Sequence, residues 1–319
     1  MGAGKIIGVV LVVFIIFGLF VPLDSVTNII SPNSSSSGGD DIAITYGQTT
    51  YDNANYKDIV DDYFKSKTSG SLSNVKDTII TANDVNKITS DISGRTYNEN
   101  QILSCAMVDL NKKGSLKVDV DDSKITLVTE SMYKSALNSS GISEGYVVVT
   151  SPTTATGESA LAGVMKSYEK ASGKEIPDEL KDAANKEIYT QTQVVNESNV
   201  SADDVADVVS EAKQKAAEEN TTDKNTIINI ITNITENKNI NITNSSVDNI
   251  ADSVSQSQSV QDQANNYQSQ ISNYVNSDDG QTLFAKIWDF INSIINPSKV
   301  VDTSSDDIVL NNSSSNSTN

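Results

Sequence analysis

The chain contains no histidine among its 319 residues. That absence removes the usual general base near neutral pH, the commonest zinc ligand, and every triad built on an imidazole. A single cysteine, Cys105, leaves no partner for an internal disulfide and no Cys-rich metal site. It lies in the apolar run Ile102, Leu103, Ser104, Cys105, Ala106, Met107, Val108, where a free thiol is expected to pack as a small buried hydrophobe. No His or Lys stands beside it to activate it. Positive charge is also scarce: 23 Lys and Arg oppose 42 Asp and Glu, a formal net charge of −19. Such a chain is repelled at long range by phosphate backbones and anionic lipid surfaces, so nucleic acid is not an expected partner. Charge of one sign also keeps a surface protein soluble and apart from its neighbours.

One long apolar run is present. Lys5 precedes an uninterrupted stretch from Ile6 to Val21, which is closed by Pro22, Leu23 and Asp24. As a helix it spans about 25 Å, at the short end of what crosses a bilayer and longer than most signal-peptide cores. Val21-Pro22-Leu23-Asp24 offers bulky and acidic residues where a small-x-small cleavage site belongs, which favours an uncleaved anchor over a removed signal. Positive charge before the run and acidic residues after it place the N-terminus inside and everything after residue 24 outside. The sequence therefore predicts a single-pass protein of the cell membrane, held through Ile6 to Val21, with the bulk of the chain extracellular.

The rest divides by composition. Residues 1–23 read as the anchor helix and residues 24–41, with Ser34 to Ser37, Gly38 and Gly39, as a flexible tether. A layered mixed α/β (α+β) body is expected over 42–175, a helical extension over 176–297, and a disordered Ser/Asn-rich tail over 298–319. Asn138, Asn196, Asn233, Asn241 and Asn316 each open an Asn-x-Ser/Thr sequon, a glycan acceptor in an exported protein, although so Asn- and Ser-rich a chain produces many by chance.

Within the body, strands are predicted at Ile42 to Tyr46, Thr78 to Ile80, Ile102 to Leu110, Leu116 to Val120, Ile125 to Val128 and Tyr146 to Thr150. Helices are predicted at Asn53 to Ser66, Asp84 to Ser90 and Ser131 to Asn138. Thr81 and Thr129 read as N-caps, and the segments around them look alike, as a duplicated unit or as two βαβ-like pieces using the same signals. Beyond Gly157 the pattern turns helical: Ser159 to Ala171 ending at Gly173, then a helix opened by Pro177 and running to about Glu219 with a break near Asn196 to Ser201. Further helices are predicted at Thr226 to Glu236, Val247 to Tyr274 and Leu283 to Ile295, the last with a wide apolar face around Trp288 suited to burial against the body.

Catalytic motifs are thin. Ser131-x-x-Lys134 and Ser167-x-x-Lys170 match the first motif of penicillin-binding enzymes, but the second and third are absent, and each Lys reads more simply as a solvated helix residue. Asp119, Asp121 and Asp122 lack the glycine turn of an EF-hand, so a polar turn is the expectation. Gly157-Glu158-Ser159 opens a helix after a strand without the glycine-rich phosphate or dinucleotide patterns. No cofactor or metal is expected, and no residue is assigned a catalytic role.

The combination Ala43-Ile-Thr-Tyr-Gly47, Ile125-Thr-Leu-Val-Thr129 followed by Met132-Tyr133 and Ala136-Leu137, Gly141-Ile142, Val147-Val-Val-Thr-Ser151-Pro152 and Thr156-Gly-Glu-Ser-Ala-Leu-Ala-Gly163 resembles a family of exported proteins with a domain of unknown function, found in Gram-positive bacteria and methanogenic archaea. The likeness covers about 42–297 and implies location and a single-domain architecture, with no catalytic residues to carry over. Two functional classes follow: a non-catalytic cell-surface module that binds an envelope polymer or another exported protein, or a carboxylate-dependent hydrolase of the envelope, since Asp and Glu are the abundant acid/base groups in a chain without histidine. The strand-to-helix turns are the candidate place for a ligand, with Thr129, Tyr133, Ser151, Thr156, Gly157 and Ser159 as candidate contacts; the alternative is that these turns are capped and closed, with no room for one.

Overall fold

The computed structural model describes residues 42–275 except 69–71, 73, 74, 91 and 93. The predicted anchor helix, tether, apolar helix Leu283 to Ile295 and tail lie outside the described residues. Among the described residues no helix is long and apolar enough to cross a membrane.

Five strands form one mixed sheet: β1 (Ile42–Gly47), β2 (Lys76–Ile80), β3 (Cys105–Asp109), β4 (Lys117–Val120) and β5 (Tyr146–Thr150), in the order β2-β1-β3-β5-β4. The pairs β1–β2 and β4–β5 are parallel, whereas β3 runs antiparallel to both its neighbours. Register aligns Ile44, Met107 and Val148 across the three central strands. That face is covered by Val60 and Phe64 of α2 (Ala54–Lys67). Its opposite, with Ala43, Ala106, Val108 and Val147, packs on α4 (Glu130–Ser139) and α5 (Glu158–Ser172). Burial on both faces explains why the central strands read as continuous apolar runs instead of alternating patterns.

Local signals set the helix starts. Asn53 caps α2, which follows the short α1 (Gln48–Tyr51), and Thr81 with Asp84 forms a capping box at α3 (Ala82–Thr89). Two predictions in the body need correction. Ile125 to Val128 is not a strand of the sheet. It makes one bridge, Ile125 to Ala155, and its amides bond sideways to the loop after β5: Thr126 N–H to the Ala155 carbonyl and Val128 N–H to that of Thr156. The run Ile102 to Leu110 is strand only from Cys105, because the Ile102 carbonyl is taken by the Thr49 amide. The two look-alike segments also differ in topology. Thr81 follows an edge strand, and its helix leads to β3, the partner of β1; Thr129 follows a non-strand segment, and its helix leads to β5, the partner of β4. Shared capping chemistry accounts for their likeness.

The extension is built of α6 (Asp178–Ser198), α7 (Ala202–Glu218), α8 (Lys224–Lys238), α9 (Asn244–Ser259) and α10 (Gln261–Val275). The single helix predicted over Val247 to Tyr274 is two, divided at Val260, where neither proline nor glycine marks the break. Asparagine, a poor residue inside helices, closes them here: Asn199, Asn220 and Asn239 all adopt the left-handed conformation with φ of 50°, 49° and 55°. Ser201, Asp223 and Thr243 then cap the helix that follows each. Val205, Val209, Ile227, Ile231 and Ile250 make a second core among α7, α8 and α9. Ile188 and Tyr189 of α6, Ala206 of α7 and Tyr267 of α10 instead join the core of the body, so body and extension share buried surface.

Candidate functional site

Because β1, β2, β4 and β5 run one way, their carboxyl ends lie along one edge of the sheet, and α1, α3, α4 and α5 begin beyond it. The predicted rim residues fall here, in different states. Thr129 caps α4, its hydroxyl accepting from the Met132 amide at 3.4 Å. Tyr133 is fully buried, and its hydroxyl donates to the Gly157 carbonyl at 2.5 Å. Gly157 has φ +105°, and a Cβ there would stand 2.7 Å from Ile125 Cγ2 and 3.0 Å from the Tyr133 hydroxyl oxygen, so only glycine fits. Thr129, Tyr133 and Gly157 thus form one packed knot that joins α4 to α5. Thr156 is exposed and Ser159 half-buried beside it. Ser151, at the end of β5, is buried, and its hydroxyl has no hydrogen-bond partner.

The sequence reading missed the charged part of this rim. Arg95 is the chain's sole arginine. Its Nη1 lies 2.9 Å from Glu158 Oε1, with the carboxylate side chain 1% exposed and the guanidinium side chain 44% exposed. The pair sits where α5 opens without a side-chain cap, a place whose backbone N–H groups favour negative charge. Burial, reinforced by the Glu158 charge, pushes the Tyr133 hydroxyl well above the ordinary tyrosine value. Burial and neighbouring Tyr97 do the same for Tyr189 of α6. A lone arginine in so Lys-biased a chain was the available signal, but its partner lies 63 positions away.

A second polar centre lies at the joint between body and extension. Lys213 Nζ of α7 stands 3.0 Å from Glu187 Oε2 of α6, with side chains 10% and 1% exposed. The ammonium also donates to the Ser135 carbonyl at 2.7 Å and to Ser139 Oγ at 3.0 Å, both on α4. Ser135 and Ser139 each donate a hydroxyl to one oxygen of Glu187, and Gln191 adds its amide at 3.1 Å. Burial draws Lys213 below the usual lysine value, against the opposing pull of the Glu187 charge.

Other acidic residues are also engaged. Asp61 accepts from the Tyr46 hydroxyl at 2.6 Å and pairs with Lys57 at 2.9 Å. Asp77 lies near enough that burial, and then the charge of Asp61, raise its pKa while Lys57 lowers it. Asp119 holds Lys67 and the Tyr146 hydroxyl, and Asp121 accepts from Thr150 and Ser123. Among the described residues no three of Asp, Glu and Cys converge as a metal site requires. In the two Ser-x-x-Lys matches, Lys134 points to Glu130 at 4.0 Å, and Ser167 is buried against Thr45 and the Ala106 carbonyl, with Lys170 exposed.

Against known proteins, the model of a family described as "Protein of unknown function (DUF1002)" matches residues 46–274. The match ends short of residue 297, the limit suggested by resemblance. The uncharacterized protein YpuA of Bacillus subtilis (strain 168) is 26% identical over 235 residues, which cover 70% of this chain and 80% of that one. No solved structure matches the chain significantly.

Proposed function

The chain belongs to the DUF1002 family of proteins of unknown function, and from that premise we propose that it is a membrane-anchored extracellular protein acting as a non-catalytic binding module for an envelope polymer or another exported protein. The location rests on the apolar run Ile6 to Val21, with Lys5 before it and Asp24 after it. The observation that favours binding over catalysis is the use made of buried carboxylates. Asp109 accepts from the Asn111 amide, Glu144 from the Ser272 hydroxyl, Glu158 from Arg95, and Glu187 from Lys213 and two serines. A general acid or base must reach substrate, and these carboxylates are bound to the protein's own groups. The rival hydrolase reading needs two carboxylates facing a substrate, and at the neighbouring Asp61 and Asp77, Tyr46 and Lys57 already hold Asp61.

The surface of the rim suits a hydroxyl-rich polymer: Thr156 is exposed, Thr129 and Ser159 are half-buried, and Arg95 presents its guanidinium beside the start of α5. Tyr133, Ser151 and Gly157 support this surface from below. The test is retention of isolated envelope fragments by the full-length chain in detergent, with and without Thr156→Ala plus Ser159→Ala. Wild type retains fragments, and the double variant retains fewer at an unchanged unfolding temperature. Equal retention by a folded double variant removes the rim, and breakdown of the fragments removes the non-catalytic reading.

A further inference from the structure

We propose that the buried Lys213–Glu187 pair is a register lock, fixing one seating of the helical extension on the α/β body. Three elements meet at it: α4 through Ser135 and Ser139, α6 through Glu187 and Gln191, and α7 through Ser210 and Lys213. From α9, Gln258 donates to the Lys213 carbonyl. Among the described residues no other charged side chain bonds to the pair. Apart from Lys213, the side chains that α7 buries are small and aliphatic, among them Ala206, Val209, Ala212 and Ala216.

Such a surface selects poorly among alternative seatings. Sliding α7 by one turn, about 5.4 Å, brings Val209 or Ala217 to the place of Lys213 and another small side chain into most of the remaining contacts. Apolar shape changes little in that slip. The charges change everything: Glu187 loses its ammonium while remaining buried, and Lys213 enters an apolar position without a counter-ion. An uncompensated buried charge is strongly disfavoured, so the pair penalises the slipped seatings. A buried ion pair adds little net stability over apolar residues of similar volume, which makes discrimination between seatings the physical role left to it.

The test is the triple variant Glu187→Leu, Gln191→Leu and Lys213→Met, since the buried Gln191 amide donates to Glu187, followed by hydrogen exchange and mass spectrometry on the full-length chain in detergent. Ser135 and Ser139 remain satisfied there, because helical serines bond back to the carbonyl four residues earlier. The variant is expected to fold with a midpoint at or above that of wild type. Its peptides from 130–139 and 202–218 are expected to lose their single mass envelope and show two, one protected and one exchanged. A single envelope with wild-type protection overturns the proposal. So does failure to fold or a large fall in midpoint, since either makes the pair a source of stability and not of register.

Discussion

Lys213 keeps its place only because Glu187 and two further oxygen acceptors, the Ser135 carbonyl and Ser139 Oγ, surround an ammonium that burial alone disfavours. Removing one partner is therefore unlike removing both. Lys213→Met alone leaves the Glu187 carboxylate buried and uncompensated, and a loss of about 3–5 kcal/mol in urea-denaturation stability is expected. A loss below about 1 kcal/mol in that titration means the carboxylate is neutralised some other way. Cys105 makes a simpler case. Its side chain is 1% exposed inside the sheet, and burial pushes the thiol from 9.0 to about 12. A thiol reagent should label it only after denaturation; fast labelling of the native chain places that strand at the surface. The same raised value has a stability consequence with a definite sign, shared by Tyr133 and Tyr168, which burial holds well above 10.0. The unfolded chain releases these protons first, so the folded form binds more of them at alkaline pH. Their contribution is complete below about pH 9 and falls as pH rises toward about 12, visible as a declining thermal midpoint.

At the scale of elements, the helix ends hold the clearest lesson. Asn239 sits at φ 55° after α8, a conformation that disfavours side chains other than Asn. Asn239→Ala should lower stability by about 1 kcal/mol, while Asn239→Gly should hold or raise it; equal effects of both in chemical denaturation contradict a conformational role for the asparagine. Signals of this local kind were legible in sequence. Thr81 and Thr129 cap the helices that their position predicts, and Gly173 closes α5 in the left-handed region. Non-local pairings were not legible. Ile125 to Val128 has the residues of a strand but pairs with a loop, because the turn at Asp121 to Lys124 carries it off the sheet. Glu187 and Lys213 lie 26 positions apart in stretches that read as ordinary solvated Lys/Glu helix. The candidate rim residues share a region near the carboxyl ends of the strands. Nothing in sequence distinguished Tyr133, buried as a strut, from Thr156, which faces solvent.

For the whole molecule, the mixed α+β architecture joins a five-stranded sheet to a run of helices toward the C-terminus, and the chain's family has no assigned activity. The shared core of body and extension, with Tyr189 and Tyr267 packed among residues of the sheet side, argues that the two present themselves to a partner as one object. The proposed function therefore depends on where that object stands. The formal net charge of −19 suits a solvated outer surface, and the proposed orientation follows from Lys5 ahead of Ile6 to Val21. The direct measurement is protease digestion of intact, wall-stripped cells followed by detection of the chain. If the protein is held outside the membrane, added protease removes the segments after residue 24 without lysis; if digestion appears only after the cells are lysed, the orientation is wrong and with it the proposed extracellular role.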